Sequence, residues 1–238
     1  MSKKYFWTLS CGACAALPRT ACLLPRAADI FGGAARSKAL HTIMMKLLAL
    51  LAALGGISEV ASAQDVEYIG AIERAQRQRP AAISTSARIA PASEAGFPMI
   101  LHGRVVKTDG SGAVDAIVFA YHADREGRYD RREAGPHSWR LRGWAKADQD
   151  GRFTFETIRP GPYPDRRTPA HVHFTIFMPS GERYHAGEIR FDDDPLVPQR
   201  ERDASKQAGD FGGVRTVQSE SDVQRVEFAL RIDVSQQF

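Results

Sequence analysis

The chain has 238 residues, a formal charge of +4 and a sequence pI of about 9.1. This length suits one domain of ordinary size or two small ones. The positive charge belongs to residues 1–63, which hold seven of the 32 basic and two of the 28 acidic residues, so residues 64–238 carry a net charge of −1. Because this balance gives no sign of a cationic face, we predict no nucleic-acid partner.

Residues 44–63 have the pattern of a secretory signal peptide, with a lysine, an apolar run and a final Ala61-Ser62-Ala63. The apolar run is short for a membrane span, and a buried helix is the alternative interpretation. The pattern predicts cleavage after this last alanine, a periplasmic or secreted location, and no membrane attachment once the signal is removed. Residues 1–43 are then interpreted as a disordered leader that results from a wrongly assigned start codon, with translation beginning at Met44 or Met45.

All three cysteines lie in this leader, at Cys11, Cys14 and Cys22. The Cys-x-x-Cys spacing is used in redox and zinc sites, but no second pair accompanies it, and we assign it no function. Residues 64–238 contain no cysteine, which excludes a disulfide-stabilised scaffold.

Residues 64–98 are predicted to form a short helix followed by an extended arm. Asp65 is a candidate N-cap for this helix. The apolar residues that follow it at helical spacing are Val66, Ile69 and Ile72. Residues 78–98 are rich in Ala, Ser and Pro, which favours an extended conformation. Either this arm wraps a partner subunit and forms a homo-oligomer, or it is loose.

Residues 99–238 are predicted to form one all-β domain, because short runs of β-branched and aromatic residues alternate with Gly-rich and Asp-rich turns. The predicted strands are 99–106, 116–120, 144–147, 153–155, 171–178, 184–191 and 223–232. Short strands with little helix favour an antiparallel β-sandwich. Residues 192–213 are polar and Gly-rich, and they are predicted to be a long loop with room for a helical turn.

The stretch from residue 160 to residue 173 carries the clearest chemical signal. His171 and His173 stand two apart on a predicted strand, so both imidazoles point to the same face, as two ligands of one metal ion would. Tyr163 stands between two prolines, which hold it in a stiff loop. Taken alone, the histidines are better explained as surface residues and Tyr163 as a packed loop residue, and it is the rest of the chain that favours a metal site.

Four motifs in a fixed order connect this stretch to a known family. They are Gly127-Arg128-Tyr129, the run 148–164, Pro169-Ala-His-Val-His-Phe174, and Phe191 followed by Asp194-Pro195. Together they resemble the intradiol ring-cleavage dioxygenases over about residues 100–195. The resemblance implies a sandwich of the prealbumin or immunoglobulin-like kind.

The resemblance also implies a non-haem Fe(III) site and a reaction. The implied ligands are Tyr129, Tyr163, His171 and His173, with Tyr163 and His173 axial. Phenolate is a hard anionic ligand that suits ferric iron. The implied partners are O2 and a catechol-type, protocatechuate-like substrate, which displaces Tyr163, transfers a proton to it, and is cleaved to a cis,cis-muconate-type diacid.

Three positions depart from the family pattern. Thr168 stands where the family has an arginine that stabilises negative charge on the substrate. Arg167 is predicted to take over this role, with Arg166 as the second candidate. Alternatively, both arginines are solvated loop charges. Glu188 occupies the position of a glutamine, and Tyr121 that of a tryptophan.

Two other functions stay open from the sequence. One is a secreted, transthyretin-like binding module without catalysis, which would explain the lost arginine. The other is a zinc hydrolase that uses His171 and His173, for which the sequence offers no convincing carboxylate partner.

Overall fold

The computed structural model describes residues 66–129 and 139–238. The predicted signal peptide at 44–63, the leader with its cysteines and the Asp65 N-cap lie outside the described residues. Within the two described ranges, none of the helices has the length and apolar character needed to cross a membrane.

The described chain begins with a helix, α1, at residues 66–77. The strands that follow are β1 (Ser86–Arg88), β2 (Pro98–Val106), β3 (Ile117–His122), β4 (Leu141–Lys146), β5 (Arg152–Ile158), β6 (His171–Phe177), β7 (Arg183–Phe191), β8 (Val214–Arg215), β9 (Val217–Ser219) and β10 (Gln224–Arg231). A second helix, α2 (Gln199–Ala208), lies between β7 and β8, and short 3₁₀ helices follow at Gly209–Phe211 and Val234–Gln236.

The strands form two five-stranded sheets, which confirms the predicted β-sandwich. Sheet A has the order β1-β5-β2-β10-β9, and sheet B has the order β4-β3-β6-β7-β8. The sheets are mixed rather than purely antiparallel, because β10 lies parallel to β2, β1 to β5 and β8 to β7. The prediction was wrong on this point because the hydrophobic pattern of a strand does not encode the direction of its neighbour.

Strand β6 shows how the sandwich core and the outer face of sheet B are separated. Val172, Phe174 and Ile176 are buried in the core between the sheets. Each such side chain contributes roughly 1.5–3 kcal/mol by leaving water. Since successive residues of a strand point to opposite faces, His171 and His173 lie on the outer face of sheet B.

Part of the predicted arm belongs to the sandwich. Strand β1 pairs with β5, and the amide of Ile89 donates a 2.9 Å hydrogen bond to the carbonyl of Glu156. Ile89 and Ala90 are buried in the core. Residues 86–90 therefore pack on this chain's own sheet, and β2 starts at Pro98.

The predicted N-terminal helix is confirmed, and α1 covers the outer face of sheet B. Its buried residues, Ala71, Ile72 and Ala75, pack in one cluster with Phe119, Tyr121, Trp139 and Phe177. Of the apolar stripe expected from the sequence only Ile72 is buried, whereas Val66 is 70% exposed. The packed face thus lies further along the helix than its first apolar residue indicates.

The region 192–213 holds a ten-residue helix, α2, where the sequence indicated a loop. Its only buried residue is Ser205, whose hydroxyl accepts a hydrogen bond from the amide of Val214 and donates one to its carbonyl, both at 2.9 Å. Polar contacts therefore hold this helix, and it lacks the apolar periodicity by which a helix is recognised in a sequence.

Candidate metal centre

The two histidines of β6 lie side by side on the outer face of sheet B. Their ring centroids are 4.6 Å apart and the rings are perpendicular. His171 is buried and His173 is half-buried. The shared face predicted from their spacing is therefore confirmed.

Two loops bring the tyrosines to these histidines. Gly127 has a φ of +78°, and a Cβ at this position would lie 1.9 Å from the carbonyl oxygen of Pro162. The amide of Gly161 donates a 2.9 Å hydrogen bond to the carbonyl of Asp124. Glycine at position 127 therefore permits the backbone leading to Tyr129 to pack directly against the backbone of the Tyr163 loop.

Four donor atoms converge on one place, with the hydroxyl of Tyr129 at the centre. Tyr129 Oη lies 3.1 Å from His171 Nε2, 3.1 Å from His173 Nε2 and 3.2 Å from Tyr163 Oη. Ligands at right angles on one ion with bonds of about 2.1 Å stand about 3 Å apart. Both the spacing and the donor types of this set therefore fit a transition-metal ion that accepts oxygen and imidazole ligands.

Neighbouring groups fix the orientation of His171. Its Nδ1 donates to the carbonyl of Pro169 at 2.7 Å, which leaves Nε2 with a free lone pair toward the tyrosines. The buried carboxylate of Asp194 accepts a hydrogen bond from the amide of Ala170, directly before this histidine.

Burial favours the neutral forms of His173, Tyr129 and Tyr163. The pKa of His173 is lowered to about 3, first by burial and then by the nearby His171 and Arg190. Burial raises the pKa of Tyr129 above its usual range, and the hydrogen bond with Tyr163 adds to this. Burial also raises the pKa of Tyr163. Neutral imidazoles are ready to bind a metal, and only a nearby cation would favour the phenolates here.

An aromatic wall borders the set on the side of α1. The ring of Tyr121 stacks on His173 at 4.7 Å and on Trp139 at 4.0 Å between centroids. Tyr68, from α1, contacts Trp139 edge-on, and its hydroxyl lies 3.4 Å from that of Tyr121. The sequence reasoning missed Tyr68, because nothing in the spacing of a surface helix indicates which strand it covers.

A charged wall borders the set on the side of α2. In the ladder between β6 and β7, Glu188 lies opposite His173 and Arg190 opposite His171. Glu188 Oε2 is 3.6 Å from Nδ1 of His173, and its other oxygen accepts a 2.8 Å hydrogen bond from Arg190 Nε. Arg190 also pairs with Glu201 of α2. Glu201 was missed from the sequence because α2 was not recognised, and Arg190 was missed because its place beside His171 depends on the pairing of β6 with β7.

His171, His173 and Glu188 also form a group whose possible ligand atoms lie within 4.8 Å of one another. Glu188, however, stands beside Nδ1 of His173, whereas Nε2 of the same ring faces Tyr129. The carboxylate is therefore a neighbour of the tyrosine-centred donor set rather than part of it.

Arg167 does not contact the four donors in this structure. Its side chain is exposed and takes part in none of the ion pairs found among the described residues, and its amide donates to Asp165 Oδ1. Arg166 is exposed as well, and its backbone is left-handed, with a φ of 54°. The predicted role of Arg167 stays a prediction.

The fold and the donor set define a class: a β-sandwich in which two tyrosines and two histidines form a set of donors of the types that could hold a non-haem metal. The family described as Dioxygenase matches residues 73–234, well over half of the chain. The chain therefore belongs to the intradiol ring-cleavage dioxygenase family, as its motifs indicated.

The chain resembles several curated dioxygenases. It is 37% identical to 6-chlorohydroxyquinol 1,2-dioxygenase of Cupriavidus pinatubonensis, over 37% of this chain and 37% of that protein. It is 32% identical to catechol 1,2-dioxygenase 1 of Acinetobacter lwoffii, over 46% and 40%, and 29% identical to the protocatechuate 3,4-dioxygenase beta chain of Burkholderia cepacia, over 43% and 48%. Each match spans less than half of the length of the relative.

Proposed function

We propose that this chain is an Fe(III)-dependent intradiol dioxygenase that uses O2 to cleave a catechol-type ring between its two hydroxylated carbons, giving a cis,cis-muconate-type diacid. The observation that carries the proposal is the hydroxyl of Tyr129, which stands within 3.2 Å of a second phenol and of two imidazole nitrogens. Family membership supports the same reaction class.

The proposed iron ligands are Tyr129, Tyr163, His171 and His173. When bound, ferric iron would supply a Lewis acid that binds the catechol in its deprotonated form and makes it reactive toward O2. The phenols bring hard anionic oxygens, and the imidazoles bring neutral nitrogens.

The protein residues have distinct tasks in this proposal. Tyr163 lies in the loop that opens toward solvent, and its hydroxyl contacts Tyr129. We assign to Tyr163 Oη the uptake of a proton from the incoming catechol. The carbonyl of Pro169 holds His171 in the required tautomer. The stacked rings of Tyr121 and Trp139 keep water from one side of His173.

The location is also a proposal. The predicted signal at 44–63 supports export to the periplasm or the medium, with the processed chain beginning at Gln64. Sequencing the N-terminus of the protein isolated from its native host tests this. A soluble cytosolic chain that retains Met1 or Met44 would contradict it.

A zinc site is the second candidate, because the structure brings a carboxylate, Glu188, next to His173. Two histidines and a glutamate are a known zinc set. Two observations weigh against it: Glu188 is already paired with Arg190, and the Nε2 atoms of both histidines face a phenol.

Metal content and colour separate these candidates. We expect about one iron per chain and a visible phenolate-to-iron absorption band. Tyr129→Phe should shift or bleach that band, and His171→Ala should lose the iron, since each removes a ligand. Oxygen uptake with a panel of catechols then tests the reaction. A colourless protein with one zinc per chain would overturn the iron assignment, and an iron-loaded protein inert toward every catechol would favour the non-catalytic binding module.

A further inference from the structure

Building on the proposed function, we infer that the wall formed by Glu188, Arg190 and Glu201 makes the site select catechols whose ring substituents are neutral or cationic and reject those that carry a carboxylate. The names of the relatives cover both kinds of ring, so family membership leaves the choice open.

A bulge places this wall beside the donor set. The register between β6 and β7 shifts between His173 and Thr175, where Gly187 has a φ of +76°. An extra residue in a strand turns the following side chains to the other face. Glu188 and Arg190 therefore share the face of the histidines, while Ile189 and Phe191 between and after them are buried in the core.

The wall carries a net negative charge. Arg190 is the only cation of the three residues, and it is shared between the carboxylates of Glu188 and Glu201. This charge lies beside the proposed ligands, because Glu188 Oε2 is 3.6 Å from Nδ1 of His173.

The same wall lines a cavity of about 350 Å³ between sheet B and α2. Its other walls include the small side chains of Ala204, Ala208 and Val214. A ring substituent that enters this space meets apolar surface and two carboxylates, and the one cation of its described lining, Arg190, is already paired. An apolar or cationic substituent is therefore favoured there, and a carboxylate would be buried beside like charges.

The effect is large enough to measure. At a separation of about 7–8 Å and an effective dielectric constant of about 20–40, one like charge lowers the affinity for a charged substituent roughly six- to fiftyfold. The iron-loaded full chain should accordingly prefer catechol and 4-methylcatechol over protocatechuate by at least about tenfold in kcat/KM. The same order should appear in Kd measured by calorimetry without oxygen, where no turnover occurs.

Charge-removing variants test the cause. Glu201→Gln and Glu188→Gln should each raise the protocatechuate to 4-methylcatechol ratio of kcat/KM about tenfold and lower the corresponding ratio of anaerobic Kd values about tenfold. The matched control is Glu156→Gln, which removes the same charge from an ion pair with Arg88 on sheet A and should leave the ratio unchanged. If a substitution only disturbed the structure, kcat/KM would fall by the same factor for both substrates and their ratio would stay unchanged.

The outcomes are distinct. Preference for protocatechuate by the unmodified chain, or a ratio unchanged in both variants, overturns the inference while ring cleavage stands. If the iron-loaded chain neither binds nor cleaves any of the three catechols, the proposed function fails and this inference falls with it. Thermal unfolding of each variant shows whether it is folded, and since the two substitutions lie on different elements, failure of one to fold leaves the other decisive.

Discussion

The buried carboxylate of Asp194 accepts a 2.8 Å hydrogen bond from the amide of Ala170, the residue directly before His171. Its second oxygen accepts from the amide of Leu196 at 2.9 Å. One side chain thereby ties the start of β6, with its first histidine, to the loop after β7. Asp194 belongs to a motif recognised in the sequence, but only the structure shows which amide it holds.

Asp194→Asn should weaken iron binding, since an amide cannot accept from both backbone N–H groups with its two ends. Loss of such a supporting contact lowers metal affinity about 10- to 100-fold. Iron titration with a competing chelator measures this. Asp193→Asn is the matched control, because Asp193 is an exposed partner of Arg159 and its change should leave the affinity as it is. Equal affinities in the two variants would show that Asp194 has no positioning role.

Gly127→Ala should abolish iron binding, because the new Cβ would collide with the carbonyl of Pro162 and separate the two tyrosine loops. Metal analysis and the visible spectrum report the loss. Gly110→Ala is the control for backbone strain. Gly110 also has a positive φ, but a Cβ at this position would have no atom within 4 Å, so only the strain is introduced. It should cost about 1 kcal/mol of stability and keep the iron. Normal iron content in Gly127→Ala would refute the close-approach argument.

Arg167→Ala tests the predicted substitute for the family arginine. If Arg167 stabilises the negative charge that develops on the bound ring, its removal should lower kcat about a hundredfold while iron content and colour stay unchanged. Arg152→Ala, which removes an exposed arginine of sheet A, should have no effect. Turnover at the level of the unmodified chain on its best catechol would exclude this role and direct the search to Arg166.

His122 should make the metal-free protein less stable in acid. It is fully buried between Thr157 Oγ1 and the carbonyl of Ala123, both at 2.6 Å, and burial lowers its pKa to about 4. An unfolded histidine has a pKa of about 6.5. The folded-state pKa is thus depressed, so the stabilisation is complete above about pH 6.5 and is lost as the pH falls toward 4.

From pH 7 to pH 5 this histidine should lower the free energy of unfolding by about 2 kcal/mol. Urea unfolding of the chain and of His122→Gln at the two pH values isolates its share, because other histidines titrate in both proteins alike. Between pH 7 and pH 5, the free energy of unfolding of His122→Gln should decrease by about 2 kcal/mol less than that of the unmodified chain. An identical decrease in both would mean that His122 is not the source.

The sequence by itself determined what depends on local alternation and local chemistry. The period of two put His171 and His173 on one face, and the alternating apolar runs identified the strands that build the sandwich. The ordered motifs around Gly127, Tyr163 and Asp194 indicated the family. Each alternation or motif lies within a short stretch of the chain, so it can be recognised without knowing which distant segments pack together.

Only the tertiary structure decided which groups surround the centre. The sequence pattern of a strand states which side chains share a face but not which strand pairs with it, so the parallel pairing of β10 with β2 was missed. For the same reason Tyr68 and Glu201 carried no signal, since each belongs to a helix, and the spacing of residues along a helix does not state which strand the helix contacts. Glu188 and Arg190 were visible as residues, but their role as a charged wall depends on the bulge at Gly187 and on the packing of α2. Contacts between distant segments arise from the packing of whole elements, and that packing is what the local pattern does not contain.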